Sequence, residues 1–174
     1  MSKLKEVILY ILEKSPKGRT RVDLSKLVYY SDTVYFQRHS ELITGSRYLH
    51  LEDSPQAFGF IEIIAELLEL KEIIIQPKIE QAKMFGFTIH SIAPKPNSLS
   101  KEEIRIINKV LNAFPGAIRD ENRQYPNLYE SYVITPVYEE ILISTERVNT
   151  KIHFTKKKSL LSLSGKLFRV LFEE

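Results

Sequence analysis

No cysteine occurs anywhere in the chain. Disulfides, thiolate metal sites and a cysteine nucleophile are therefore excluded, and the composition fits a reducing compartment. Glycine is scarce, at six residues, and no G-x-S-x-G or glycine-rich phosphate loop is present. The four histidines (His39, His50, His90, His153) never fall three or four residues apart, and no carboxylate cluster supports them as metal ligands. Nothing in the sequence argues for an enzyme, and no cofactor is implied. No apolar run approaches the ~18 residues that a membrane helix needs. The opening MSKLKEVILYILEKSPK is apolar only briefly, contains Glu6 and Glu13, and leads to no small-residue cleavage site. It reads as a helix rather than a signal peptide, and the cytoplasm is the expected location. An excess of one charge is also missing: 25 basic residues face 22 acidic ones, for a net +3. The basic surplus is local, in Lys156-Lys157-Lys158, Lys166 and Arg169.

What is present is a chain of 174 residues with a hydrophobic fraction of 43%. That suits one globular domain, able to hide roughly 70% of its unfolded surface without covalent staples. The expected organisation is a single domain over residues 1–145 and a basic C-terminal extension over 146–174. Leu160, Leu163, Leu167 and Leu171 share one helical face there, although Gly165 weakens the pattern. That extension has three open roles: packing on the domain, dimerisation, or docking a partner.

Leu4, Val7, Ile8, Ile11 and Leu12 recur at helical spacing, so a first helix is predicted over Lys3–Lys14. Ser15-Pro16-Lys17-Gly18 stops it. Leu24, Leu27, Val28, Ser31, Val34 and Tyr35 form one face of a second helix ending near His39 or Ser40. Thr44-Gly45 is a turn, followed by a short strand in which Tyr48 and His50 point opposite to Arg47, Leu49 and Leu51. Ser54-Pro55 reads as a third helix start, with Phe58, Ile61, Ile64, Ala65 and Leu68 as the buried stripe. Ile73-Ile74-Ile75 and Met84–Ile92 read as two antiparallel strands joined by a loop through Pro77 to Lys83, with Pro77 marking the first strand as short or at an edge. Ser100 and Glu103 make a capping box for a fourth helix, with Leu99 stapled to Ile104. Residues 116–127 read as a loop, and Thr135-Pro136 as a further helix start. The fold class is α+β, mainly helical, with a winged-helix-like helical core and a small antiparallel sheet or hairpin.

LSKLVYYSDTVYFQRHSELITGSRY resembles the signature region of the Panacea domain, also called the SocA-like antitoxin domain. The residues that carry the likeness are Leu24, Lys26, Leu27, Tyr29 and Tyr30, then Asp32, then Ile43, Thr44, Gly45 and Tyr48. A proline-headed segment from Pro55, the strand EIII, and LSKEEIRIINKVL extend it. The match is specific from Leu24 to about Ile75 and weaker to about Leu142; beyond Ile143 it has no counterpart. Two departures stand out. Asp53-Ser54-Pro55-Gln56 replaces a Gly-Pro-Val-like lead-in to the third helix. Tyr132 and Tyr138 stand where relatives show a histidine and then a tryptophan.

The resemblance implies a binding role with no catalysis: neutralising a toxin encoded nearby by direct protein contact, or adapting a partner for degradation. The residues expected at a partner surface are Tyr29, Tyr30, Arg47, Tyr48 and His50. For any single tyrosine, a half-buried core edge is the plainer reading. Lys26 reads as outward-facing, its stem over apolar surface, or as paired with Asp23 or Asp32. Lys156, Lys157 and Lys158 are candidate contacts for nucleic acid or an acidic partner, against the plainer reading of a solvated helix flank. The alternative function is a winged-helix DNA-binding regulator. Against it, the third-helix segment carries Glu62, Glu66 and Glu69 and no lysine or arginine, the wrong charge for a helix laid in a groove. Self-association stays open, a nucleic-acid partner is not favoured, and no membrane partner is expected.

Overall fold

The computed structural model describes residues 2–80, 83–92, 98–118 and 126–143. The expected C-terminal helix and Lys156–Lys158 lie outside them. The elements are α1 (Lys3–Glu13), α2 (Arg21–His39), β1 (Tyr48–His50), β2 (Pro55–Ala57), α3 (Phe60–Glu69), β3 (Ile73–Glu80), β4 (Lys83–Ser91), α4 (Lys101–Ala113), α5 (Pro126–Ile134) and β5 (Glu140–Ile141). The fold is mainly helical α+β. A three-stranded antiparallel sheet has the order β2-β1-β5, and β3 pairs with β4 in a separate ribbon.

The second helix is buried on every side, not along one face: each residue from Asp23 to Val34 is buried. It packs against α1, α4, α5 and β2. Three hydroxyls on its hidden sides find backbone carbonyl acceptors. Ser31 Oγ donates to the Leu27 carbonyl and Thr33 Oγ1 to the Tyr29 carbonyl, while Ser25 Oγ donates across to the Pro55 carbonyl of β2. The outward-facing reading of Lys26 is corrected by the same burial.

Three further expectations change. The stretch Ser54-Pro55 opens no helix; it is the return arm of a hairpin. The Leu51 N–H donates to the Ser54 carbonyl at 3.2 Å, closing the turn through Glu52-Asp53, and His50 then pairs with Pro55. Proline is tolerated there because β2 is an edge strand. The helix starts later, at Gly59, whose φ of +79° suits a residue without a Cβ. Its buried stripe is consequently Phe60, Ile64 and Leu67, and Phe58 is left half exposed. Second, β3 does not end before Pro77 but runs to Glu80, with a register shift between Pro77 and Ile79. Each strand of a two-stranded ribbon has an open edge where proline breaks no ladder bond. Third, Thr135-Pro136 follows a helix instead of opening one. After α5 the chain turns and becomes β5, because Ile141 is buried beside Tyr48 while Glu140 faces outward.

The capping box is present as expected: Ser100 Oγ accepts from the Glu103 N–H, and the Glu103 carboxylate accepts from the Ser100 N–H. One core cluster joins α1, α2, α3, α4 and the sheet, and it includes Leu99, Ile118, Tyr132 and Ile141.

Candidate functional site

The stretch from Ile43 to Tyr48 meets α2 at Asp32. The Asp32 carboxylate is fully buried. One oxygen accepts from the Thr44 N–H at 3.0 Å. The other accepts from the Thr44 hydroxyl and, at 2.6 Å, from the Tyr48 hydroxyl. A buried carboxylate without such donors would be very costly. Here burial pushes the Asp32 pKa above its ordinary 3.8, and the bonds from Thr44, Tyr48 and the Ile43 backbone oppose the shift. Burial likewise raises the Tyr48 hydroxyl well above its usual value, assisted by the Asp32 carboxylate. Gly45 completes the turn at φ +64°, a left-handed conformation that costs other residues about 1–2 kcal/mol. The motif residues therefore build a pin that fixes the loop after α2 and the first sheet strand to α2 itself.

The tyrosines belong to the same pin. Tyr29 meets Tyr48 edge-on at 5.1 Å, and Tyr30 stacks on Phe114 of the α4 cap at 5.1 Å. Tyr29, Tyr30 and Tyr48 are core residues, each 0–1% exposed, so the expectation that they display a partner surface is corrected. The reason is that α2 is covered on all sides and β1 is the central strand of its sheet. His50 is corrected too. It is buried, its Nδ1 lies 2.6 Å from the Thr135 carbonyl, and its ring packs 3.8 Å from that of Tyr132. Burial lowers its pKa, against the Thr135 contact. The Tyr132 hydroxyl donates to the Leu51 carbonyl, locking α5 to the end of β1.

Arg47 alone of the five is on the surface, with its side chain 69% exposed. Its guanidinium makes a two-armed ion pair with Glu140 of β5 and lies 5.1 Å over the ring of Phe58, itself 50% exposed. Glu140 holds Arg47 in place and is in turn shifted below the usual carboxylate range by that bond. Beside them, Arg21 bridges Gln56 and Asp53, and the Tyr138 hydroxyl donates to Glu52 at 2.9 Å. This outer face of the three-stranded sheet presents a fixed cation, an exposed ring and a carboxylate rim.

Sequence reasoning missed Glu140 and Phe58 as partners of Arg47, since no local pattern places residue 140 beside residue 47. Asp32 was legible in principle. A carboxylate on a helix among Leu27, Val28, Tyr29 and Tyr30 must find donors once that helix is buried. Among the described residues no group of three or more His, Asp or Glu is placed to hold a metal. Among them, too, no helix is long and apolar enough to cross a membrane.

A model of the family described as "Antitoxin SocA-like, Panacea domain" matches residues 24–123, more than half of the chain, and the chain belongs to that family. The match spans the pin, from α2 through Asp32, Thr44 and Tyr48 to α4. No curated protein and no solved structure matches the chain significantly.

Proposed function

We propose that this protein is an antitoxin that neutralises a cognate protein toxin by direct contact in the cytoplasm, as a binding module with no catalytic step. Membership of the antitoxin family is the observation that carries the reading. The contact surface we assign is the outer sheet face centred on Arg47, Phe58 and Glu140. A guanidinium held by a carboxylate and stacked on an exposed ring needs little further ordering on binding, and arginine and aromatic side chains are the usual anchors of interfaces.

The test is genetic and then physical. The adjacent reading frame is expressed with and without this protein in a growth assay. The reading expects the neighbour to arrest growth alone and to be silenced by co-expression; a neighbour that is harmless alone defeats it. Salt-sensitive binding to a defined DNA duplex would instead favour a regulator. The acidic outer side of α3, with exposed Glu62, Glu66 and Glu69, opposes that outcome.

A further inference from the structure

The described residues end at Ile143, one residue beyond Leu142 and two beyond the edge strand β5. Leu142 is 76% exposed and leaves the sheet on its outer side, since Ile141 points inward. Phe58, Val137 and Tyr138 are also exposed around this sheet. The hairpin, the α5–β5 connection and α5 carry Glu52, Asp53, Glu130, Glu139 and Glu140, against Arg47 alone from the same segments and Arg21 from α2. Both of those arginines are already engaged, by Glu140 and Asp53. The face is thus apolar at intervals and negative at its rim.

Residues 144–174 have the complementary chemistry. They hold seven Lys or Arg against three Glu, a net +4 within a chain whose total is +3, so residues 1–143 are net −1. The cations in Lys156-Lys157-Lys158 directly precede Leu160, Leu161 and Leu163. Twelve residues separate Lys156 from Ile143, an extended reach of roughly 40 Å at about 3.3 Å per residue. Three strands spaced about 4.8 Å apart are far narrower than that.

We infer that the segment from Lys156 to Leu171 docks in cis on the outer face of the β2-β1-β5 sheet. Its lysines meet the rim at Glu52 and Glu139, and its leucines cover Phe58, Tyr138 and Leu142. The docking stands on charge, apolar surface and chain continuity. Its consequence, that the tail and a toxin compete for one face, rests on the proposed toxin contact. The outer side of α3 is also acidic, but Glu66 there is engaged by Lys5, and the chain does not leave the fold from that element.

The cysteine-free chain allows a clean test that involves no toxin. A nitroxide is attached to the full-length Ser159→Cys variant, and the backbone amides are observed by NMR. Docking predicts severalfold loss of intensity at Leu49, Gln56 and Glu139, relieved by raising salt from about 50 mM to about 500 mM. The pair Glu52→Lys and Glu139→Lys should abolish the effect. Adding Lys156→Glu, Lys157→Glu and Lys158→Glu to that pair should restore it. Both rim carboxylates are exposed, and unchanged α1 and α2 resonances confirm that the variants fold. Broadening along α3, uniform broadening, or none overturns the inference. So does broadening that persists when a spin-labelled chain is mixed with a separate isotope-labelled one, because the contact is then between copies.

Discussion

Arg47 and Tyr48 are neighbours in the chain and opposites in the fold. Tyr48 turns inward, 1% exposed, and its hydroxyl donates a hydrogen bond to the Asp32 carboxylate. Arg47 turns outward and meets Glu140 and Phe58. Strand alternation separates them by one residue, and with it separates two jobs. The inward set, Asp32, Thr44 and Tyr48, draws on α2 and the turn that follows it. The outward set, Arg47, Phe58 and Glu140, is assembled from both ends of the sheet and lies partly beyond the family match at residue 123.

The largest effect should come from the inward set. Asp32→Ala leaves the Thr44 N–H and the Tyr48 hydroxyl buried without an acceptor, so urea unfolding should show a loss of about 3 kcal/mol or more. Tyr48→Phe removes one donor and keeps the ring against Tyr29; a loss of about 2 kcal/mol is expected by the same measurement. Gly45→Ala, at its positive φ, should cost about 1 kcal/mol.

A finer effect concerns pH. The folded-state pKa of Asp32 is raised above its ordinary 3.8. Between the unfolded and folded values the native state therefore binds more protons, and stability falls as pH rises. Asp32's contribution is full below about 3.8 and declines as pH climbs through the folded pKa. The stability difference between wild type and Asp32→Asn should accordingly narrow as pH is raised from about 4. A widening difference would mean that the hydrogen bonds outweigh burial. The smallest effect on stability belongs to the outward set: Arg47→Ala should leave the urea midpoint unchanged, since the pair with Glu140 is solvent-exposed. If Arg47→Ala unfolds the protein, the division into scaffold and display fails.

The helices were legible where capping and periodicity agree, as with Ser100, Glu103 and the buried stripe of α4. The resemblance to the family was legible through Leu24–Tyr48. The hairpin at Leu51–Ser54 was hidden because Ser54-Pro55 is equally good chemistry for a helix start, and only pairing with His50 decides between them. The burial of Tyr48 and His50 was hidden for a different reason. Alternation says that two residues share a side but not which side is covered. Tyr48 is covered by Asp32 and Tyr29 of α2, and His50 by Tyr132 and Thr135, more than 80 residues further on. The same distance concealed Glu140.

The central claim is that the Arg47 face meets a toxin while the Asp32 pin only supports it. Titration calorimetry of the purified product of the adjacent reading frame into wild type, Arg47→Glu and Tyr48→Phe tests it directly. Wild type should bind saturably, Arg47→Glu should lose at least about tenfold in affinity, and Tyr48→Phe should keep near-wild-type affinity at a temperature where it remains folded. Equal affinity of wild type and Arg47→Glu would contradict the claim.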